Sequence, residues 1–434
     1  MLNKIAFFLL CFIVWFAPIP LGANRPWAWG IVELLICINT LLICFSASFK
    51  TIYDCIKPIK FLISILVFVQ LWVFMQWLGG LYPNLSPLTS IDSMQTEISL
   101  IKGLSYCLFI INLAFLTDCK QRVVQICWVI ICAGLTQALY AIFLVYSNLD
   151  SSLLSLDISS KATGSFVYQN HLANYLILCL SISIGYLIAS LEGMQATSTR
   201  QKFALIIEAL LSTKWIMRIS IVIMVVALIM TRSRMGNSAF FVSLLVTSLL
   251  SLILIKRPPN TLKWLVLSLI ALDIIIVGSY FGIDKVKERI EMTSFQSEVR
   301  DDVVRDSIQY IYDYWLSGSG VGSFYSTFLQ YQSTTYTAFY DHAHNEYVQF
   351  VVEFGLIPSV LLFFLILFTI GNCLMTLRKG KQKLSRGLAM GTLMACSCML
   401  IHSTVDFVLQ DVAIVILFIT ILSLFSIIRS LENT

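Results

Sequence analysis

The stretch HNEYVQFVVEFGLIPSVLLFFLILFTIGN, residues 344–372, decides the fold. From Gly355 to Asn372 it carries no charge, and as a helix rising about 1.5 Å per residue the whole run can cross roughly 30 Å of hydrocarbon. Its front end is different: His344, Asn345, Glu346, Gln349 and Glu353 are polar, and the spacing of the last three keeps them on one helical face. A polar stripe on a membrane helix faces the bundle interior or water. His344 opens this span directly after the only long polar loop of the chain. A titratable ring is costly at a bilayer boundary, which makes the position a candidate for catalysis or transport; the competing reading is an ordinary hydrogen-bonded boundary histidine.

Similar apolar runs lie near 4–20, 27–47, 59–78, 98–117, 122–147, 169–190, 215–231, 236–256, 262–282, 386–406 and 409–429. With 58% hydrophobic and 12% charged residues and a mean hydropathy of +0.85, the chain falls far outside soluble globular composition. The expectation is an all-α, polytopic helix bundle of about twelve transmembrane helices. Its organisation would be 1–282 with nine helices, 283–343 as a long outward loop, and 344–434 with three more. The first run resembles a signal peptide, but no clear small-residue cleavage site follows it, and it is read as a helix. The twelve cysteines sit in apolar runs or short loops, indicating neither a disulfide scaffold nor a metal site. Cys396 and Cys398 read as small hydrophobes.

Orientation follows from Lys and Arg in alternate loops. With the N-terminus inside, nineteen fall inside and five outside the long loop's own charges: Arg25, Lys102, Lys161, Arg232 and Arg234. Both termini are then cytoplasmic and the long loop faces outward. Within that loop, Ile308, Ile311, Tyr312 and Trp315 recur at helical spacing, which predicts an amphipathic helix on the outer face of the bundle. Gly318, Gly320 and Gly322 follow it; this pattern lets a backbone approach a diphosphate or simply makes a flexible turn.

Several outward groups suit an anion or a proton transfer. Arg232 and Arg234 stand against the positive-inside bias, and two guanidiniums there read either as snorkelling cations or as an anion site. Arg300 and Arg305 lie in the loop, where pairing with Asp301, Asp302 or Asp306 is the plain explanation, better suited to Arg305. A helix N-terminus disfavours a protonated imidazole and favours a bound anion, so His344 is placed to be a neutral base beside a phosphate. His402 and Asp406, four residues apart, form a second base-carboxylate pair that reads as structural or functional. Asn170, His171 and Asn174 cluster at the outer start of the sixth span, as glycan hydrogen bonders or as interface caps.

These residues together resemble the bacterial O-antigen ligase and O-antigen polymerase superfamily. His344-Asn345, a nine-residue spacer and Gly355 look like that family's signature, with Pro358 a departure from it. Ser233-Arg234, Arg300 before Gly318 to Phe324, His402-Ser403 with Asp406-Phe407, and Gly164-Ser165-Phe166 to Asn170 resemble other family elements in the same order. The resemblance covers roughly 160–410.

It implies an enzyme of the bacterial inner membrane, with both termini cytoplasmic and a periplasmic active site, which transfers a glycan from an undecaprenyl-diphosphate-linked donor without metal or cofactor. His344, Arg234 and Arg300 would be catalytic: the arginines would hold the diphosphate and the histidine would take the acceptor proton. Arg232, Asn345, Asn170, His402 and Asp406 would bind substrate. The acceptor would be a lipid A-core sugar in a ligase, the growing glycan in an O-antigen or exopolysaccharide polymerase, or a protein hydroxyl in a protein-glycosylating relative; no nucleic acid is implied. A lipid-linked glycan flippase would also have about twelve spans, but such transporters often show internal repeats and mid-membrane sites, and this chain shows neither.

Overall fold

The computed structural model describes residues 1–147, 149–154, 156–157, 160–190, 213–255, 263, 267, 302–333 and 340–433. Apart from one isolated bridge between Ser151 and Asp157, the regular structure of these residues is helical. In chain order the main helices are α1 (Leu2–Phe16), α2 (Pro26–Cys44), α3 (Phe49–Ile56), α4 (Lys60–Leu81), α5 (Ser93–Leu116), α6 (Lys120–Tyr146) and α7 (Gln169–Ser190). They continue with α8 (Thr213–Met230) and α9 (Arg234–Leu254). Residues 302–314 form α10, and α11 (Glu346–Phe354), α12 (Leu356–Lys379), α13 (Lys383–His402) and α14 (Val412–Asn433) complete the bundle.

Nine helices among the described residues are long and apolar enough to cross a membrane, α3 and α4 counting as one, and two further apolar helices, Leu2–Phe16 and Trp215–Met230, are shorter. Together they stand where eleven of the twelve apolar runs lie; the run at 262–282, apart from residues 263 and 267, is outside the described residues. The protein is a polytopic all-α membrane protein.

Hydrocarbon tails are as apolar as leucine, so helices associate in membranes through close packing of small residues. Helices α7 and α13 do so antiparallel. A Cβ at Gly185 would lie 2.4 Å from the Gly387 carbonyl oxygen, and one at Gly391 would lie 2.6 Å from that of Ser181. This contact brings the first turn of α7 and the last turn of α13 to the same end of the bundle.

The stretch 344–372 is not one helix. Gly355, at φ 83°, breaks it into α11 and α12, because the chain at 315–318 crosses there. A Cβ at Gly355 would lie 2.3 Å from the Leu316 carbonyl oxygen, and the Leu356 N–H donates to Trp315 O at 2.7 Å. The crossing helix is therefore α12, and His344 precedes a short helix resting on the loop-bearing end.

Helix α10 forms as expected, with its buried face different from the expected one. Val303, Ser307 and Tyr310 are buried while Ile308, Tyr312 and Trp315 are exposed. Val303 and Tyr310 join Phe324, Phe328, Ala343 and Val352 in a small satellite core, which docks the loop onto α11. The opening of the loop from Asp284 to Glu291 is outside the described residues.

Candidate active site at the loop-bearing end

Asn345 starts α11. Its Oδ1 accepts from the Tyr347 and Val348 N–H groups at 3.0 and 3.2 Å, a helix cap, and its Nδ2 donates to Thr404 O at 3.0 Å. Ser, Thr, Asp and Asn cap helices this way because the first turn has backbone donors without helical partners. The same amide thus ties α11 to the corner between α13 and α14.

Two more bonds complete that tie. The Glu346 N–H donates to Ser403 O at 2.9 Å, and its carboxylate accepts from Leu409 N at 2.6 Å and Gln410 Nε2 at 3.3 Å. Burial pushes the Glu346 carboxyl up to about 8, the bonds from Leu409 and Gln410 opposing the shift. Gln349 and Glu353 are buried on the same face of α11. Gln349 Nε2 donates to His342 Nδ1 at 2.9 Å, so the other ring nitrogen of a neutral His342 carries the proton. Burial holds the His342 pKa below its ordinary value. Glu353 accepts from the Phe324 N–H at 3.1 Å, and burial pushes its carboxyl up to about 7.

The glycine turn that leads into Phe324 is a packed joint. Gly318, Gly320 and Gly322 have φ of 72°, 102° and 83°, a region L-residues avoid. A Cβ at Gly318 would lie 2.2 Å from Glu353 O, and one at Gly320 would lie 2.2 Å from Ser90 Oγ. Gln76 Nε2 donates to Ser317 O at 2.7 Å and Glu353 O at 2.9 Å. The three glycines let the backbone pass between α11 and the α4–α5 connection, so this turn is committed to protein contacts.

The chain's four histidines all lie at this end. Phe407, in the α13–α14 corner, is ringed by three of them: His342 stacks on it at 4.3 Å between centroids, while His344 and His171 meet it edge to face at 4.8 and 5.0 Å. Tyr168 adds a further edge contact at 5.7 Å. The fourth, His402, ends α13; Asn174 Nδ2 donates to its Nδ1 at 3.0 Å, and its Nε2 lies 4.0 Å from Asp406 Oδ2. Asn170 Nδ2 donates to that same oxygen at 2.5 Å. Asn170 and Asn174 of the polar cluster at the start of α7 are therefore the partners of the His402-Asp406 pair.

His344 itself is half-buried and sits at φ 48°. A left-handed conformation in a residue other than glycine costs on the order of 1–3 kcal/mol and persists only where its surroundings impose it. Here the cap at Asn345, the aromatic ring of Phe407 and the satellite core hold it.

Helix α9 begins beside this cluster. Ser233 Oγ accepts from the Gly236 N–H at 3.2 Å, and a Cβ at Gly236 would lie 2.8 Å from Ala173 Cβ, one turn into α7. Arg234, the first residue of α9, and Arg232, at φ 53°, are exposed there. Arg300 is outside the described residues. Arg305 pairs with Asp302 on α10, as its neighbours suggest.

Asp411 and Asn24 join the cluster without any motif to announce them. Asp411 is buried and accepts from His171 Nδ1 at 2.7 Å and from Asn24 Nδ2 at 2.6 Å. The signal available in the sequence is only that each is a polar residue at the loop-bearing end of an apolar run.

Two largely apolar cavities flank α11. One, of about 200 Å³, is lined by Phe350, Val360, Phe363, Met399 and Leu400 and reaches Glu346. The other, of about 220 Å³, is lined by Leu66, Val69, Phe354 and Phe418 and reaches Glu353 and Gln410.

Fold and site thus define a polytopic membrane protein with a histidine- and carboxylate-rich centre at one end of its bundle. Residues 219–365 match the family model described as O-antigen ligase, so over that segment the chain is similar to the O-antigen ligase family. Members of that family are membrane enzymes of glycosyltransferase or ligase type. The matched segment holds Arg232, Arg234, Arg300, His344 and Asn345, and the fold adds Asn170, His171, His402, Asp406 and Asp411 to them from outside it. No curated protein matches the chain.

Proposed function

We propose that the protein is an O-antigen ligase-like transferase of the bacterial inner membrane. It moves a glycan from an undecaprenyl-diphosphate carrier to a sugar hydroxyl of lipid A core at the periplasmic face. The observation that carries this reading is the placement of His344. It is half-buried at the start of α11, at the end of the bundle where Arg234 opens α9.

In the transfer, the acceptor oxygen bonds to the anomeric carbon as that carbon's bond to the diphosphate breaks. His344 takes the acceptor's proton, a contribution of about 10²- to 10⁴-fold for a placed general base. Arg234, with Arg300, holds the diphosphate and offsets the charge growing on it, a task suited to the fixed fork of a guanidinium. The two cavities beside α11 are largely apolar and each has a glutamate of α11 in its lining, Glu346 in one and Glu353 in the other, which suits lipid-linked substrates.

The test is a lipopolysaccharide gel from a deletion strain carrying wild type or His344→Ala. Wild type restores capped bands and His344→Ala leaves uncapped core, with carrier-linked glycan accumulating. Core bearing a single repeat in the deletion strain would make the protein a polymerase, and full rescue by His344→Ala would remove the general-base role.

A further inference from the structure

The Asn24–Asp411–His171 chain runs into the centre and stops at a buried ring nitrogen. Asp411 uses both oxygens: Oδ1 accepts from Asn24 and Oδ2 from His171 Nδ1. A carboxylate only accepts, so it fixes the His171 proton on Nδ1, and in the neutral ring Nε2 carries the lone pair. That atom is buried, in a residue with only 1% of its surface exposed, and has no hydrogen-bond partner among the described residues.

The chain is also held at some cost. Asn24 follows Leu21, Gly22 and Ala23, three consecutive residues with φ of 57°, 67° and 54°. Leucine and alanine avoid that region, and strain of this kind gathers at sites where the surroundings over-determine the backbone. The turn is wedged in place: a Cβ at Gly22 would lie 2.5 Å from the ring of Phe166 and 3.1 Å from Asp411 Oδ2. His171 shares the Phe407 ring with His342 and His344, which puts it in the same cluster as the proposed base.

We propose that His171, oriented by Asp411 and Asn24, is a substrate-binding residue of the transfer site whose Nε2 accepts a hydrogen bond from a sugar hydroxyl of the glycan. This rests on the reading of the centre as a glycan-transfer site. Asp411 acts through His171 and is a positioning residue. With asparagine at 411, the side-chain amide can donate to Nδ1, moving the ring proton to Nε2 and turning the acceptor into a donor.

The test uses the full-length protein in detergent or vesicles, with the carrier-linked glycan extracted from a deletion strain as donor and uncapped lipopolysaccharide as acceptor. Asp411→Asn and His171→Gln are compared with wild type for kcat, KM and unfolding temperature. The expected result is at least a tenfold loss of kcat/KM in both variants, with unfolding temperatures close to wild type. A structural role predicts the opposite split, a lowered unfolding temperature with kcat/KM kept in the molecules that remain folded, and that result overturns the proposal. Where Asp411→Asn does not fold, His171→Gln decides alone, and Asn24→Ala, which leaves the His171–Asp411 bond in place, serves as the milder member, expected to lose less. Wild type that transfers no glycan refutes the function itself, whereas active wild type with unimpaired variants refutes only the role of His171.

Discussion

Asn345 does two jobs with one amide, and substitution can separate them. Its Oδ1 caps α11 and its Nδ2 tethers Thr404. Loss of a helix cap costs about 1 kcal/mol, and loss of a net hydrogen bond costs about 1 kcal/mol more. Asn345→Ala removes both, roughly 2 kcal/mol in all, which lowers the rate by up to about 30-fold if the transition state bears the full cost. Asn345→Asp keeps the cap, and its charge suits a helix N-terminus, but it sets an acceptor against the Thr404 carbonyl in place of a donor. If the tether aligns His344 with the α13–α14 corner, Asn345→Asp loses activity nearly as fully as Asn345→Ala while resisting heat as well as wild type. The assay is glycan transfer in detergent beside thermal unfolding. An active Asn345→Asp would refute the tether and reduce Asn345 to a cap, and an Asn345→Ala indistinguishable from wild type would refute both.

Gly355→Ala is expected to destabilise the loop-bearing end by at least 1–3 kcal/mol, since it forces a side chain into φ 83° and to 2.3 Å from Leu316 O; limited proteolysis cutting first between 315 and 345 would show it, and an unchanged cleavage pattern would contradict the packing argument. Glu346 gives a pH dependence. Its carboxyl rises from 4.5 to about 8 on folding, so between those values the folded state binds the extra proton and stability falls as pH rises. Glu346→Gln, neutral throughout, is expected to remove that slope and to unfold at a higher temperature than wild type at pH 9, as differential scanning fluorimetry will read; parallel curves would show that Glu346 is ionised in the folded protein at neutral pH.

The fold was legible in the sequence because the bilayer imposes one simple demand, a long apolar run per crossing, and eleven of the twelve runs stand as apolar helices. Where the reading slipped, a demand other than hydropathy prevailed. Residues 344–372 satisfy the length and polarity rule for one span, yet the chain at 315–318 needs room beside Gly355, and that contact is between segments about forty residues apart. Helix α10 shows the same effect on a smaller scale. Its most apolar spacing is Ile308, Ile311, Tyr312 and Trp315, of which Ile311 alone packs against the satellite core, while the face it buries holds Ser307, whose Oγ donates to Val303 O at 2.8 Å, and Tyr310, whose hydroxyl donates to Ser319 Oγ at 2.8 Å.

The candidate site was legible in proportion to how local its pieces are. His344 and Asn345 are announced by position, at the junction of a polar loop and an apolar run. The His402-Asp406 pair is announced by spacing: the two meet loosely at 4.0 Å, and each is engaged by an asparagine of α7. Asp411 and Asn24 are 387 residues apart and belong to no motif; they meet because α1 turns back at Leu21–Ala23 and α14 begins at the same end of the bundle. Pairings of this kind are set by which helix ends share a face of the membrane, so a polar residue at the loop-bearing end of any apolar run is a candidate for the centre. By that rule Arg25, exposed immediately after Asn24, lies on the same rim as Arg232 and Arg234.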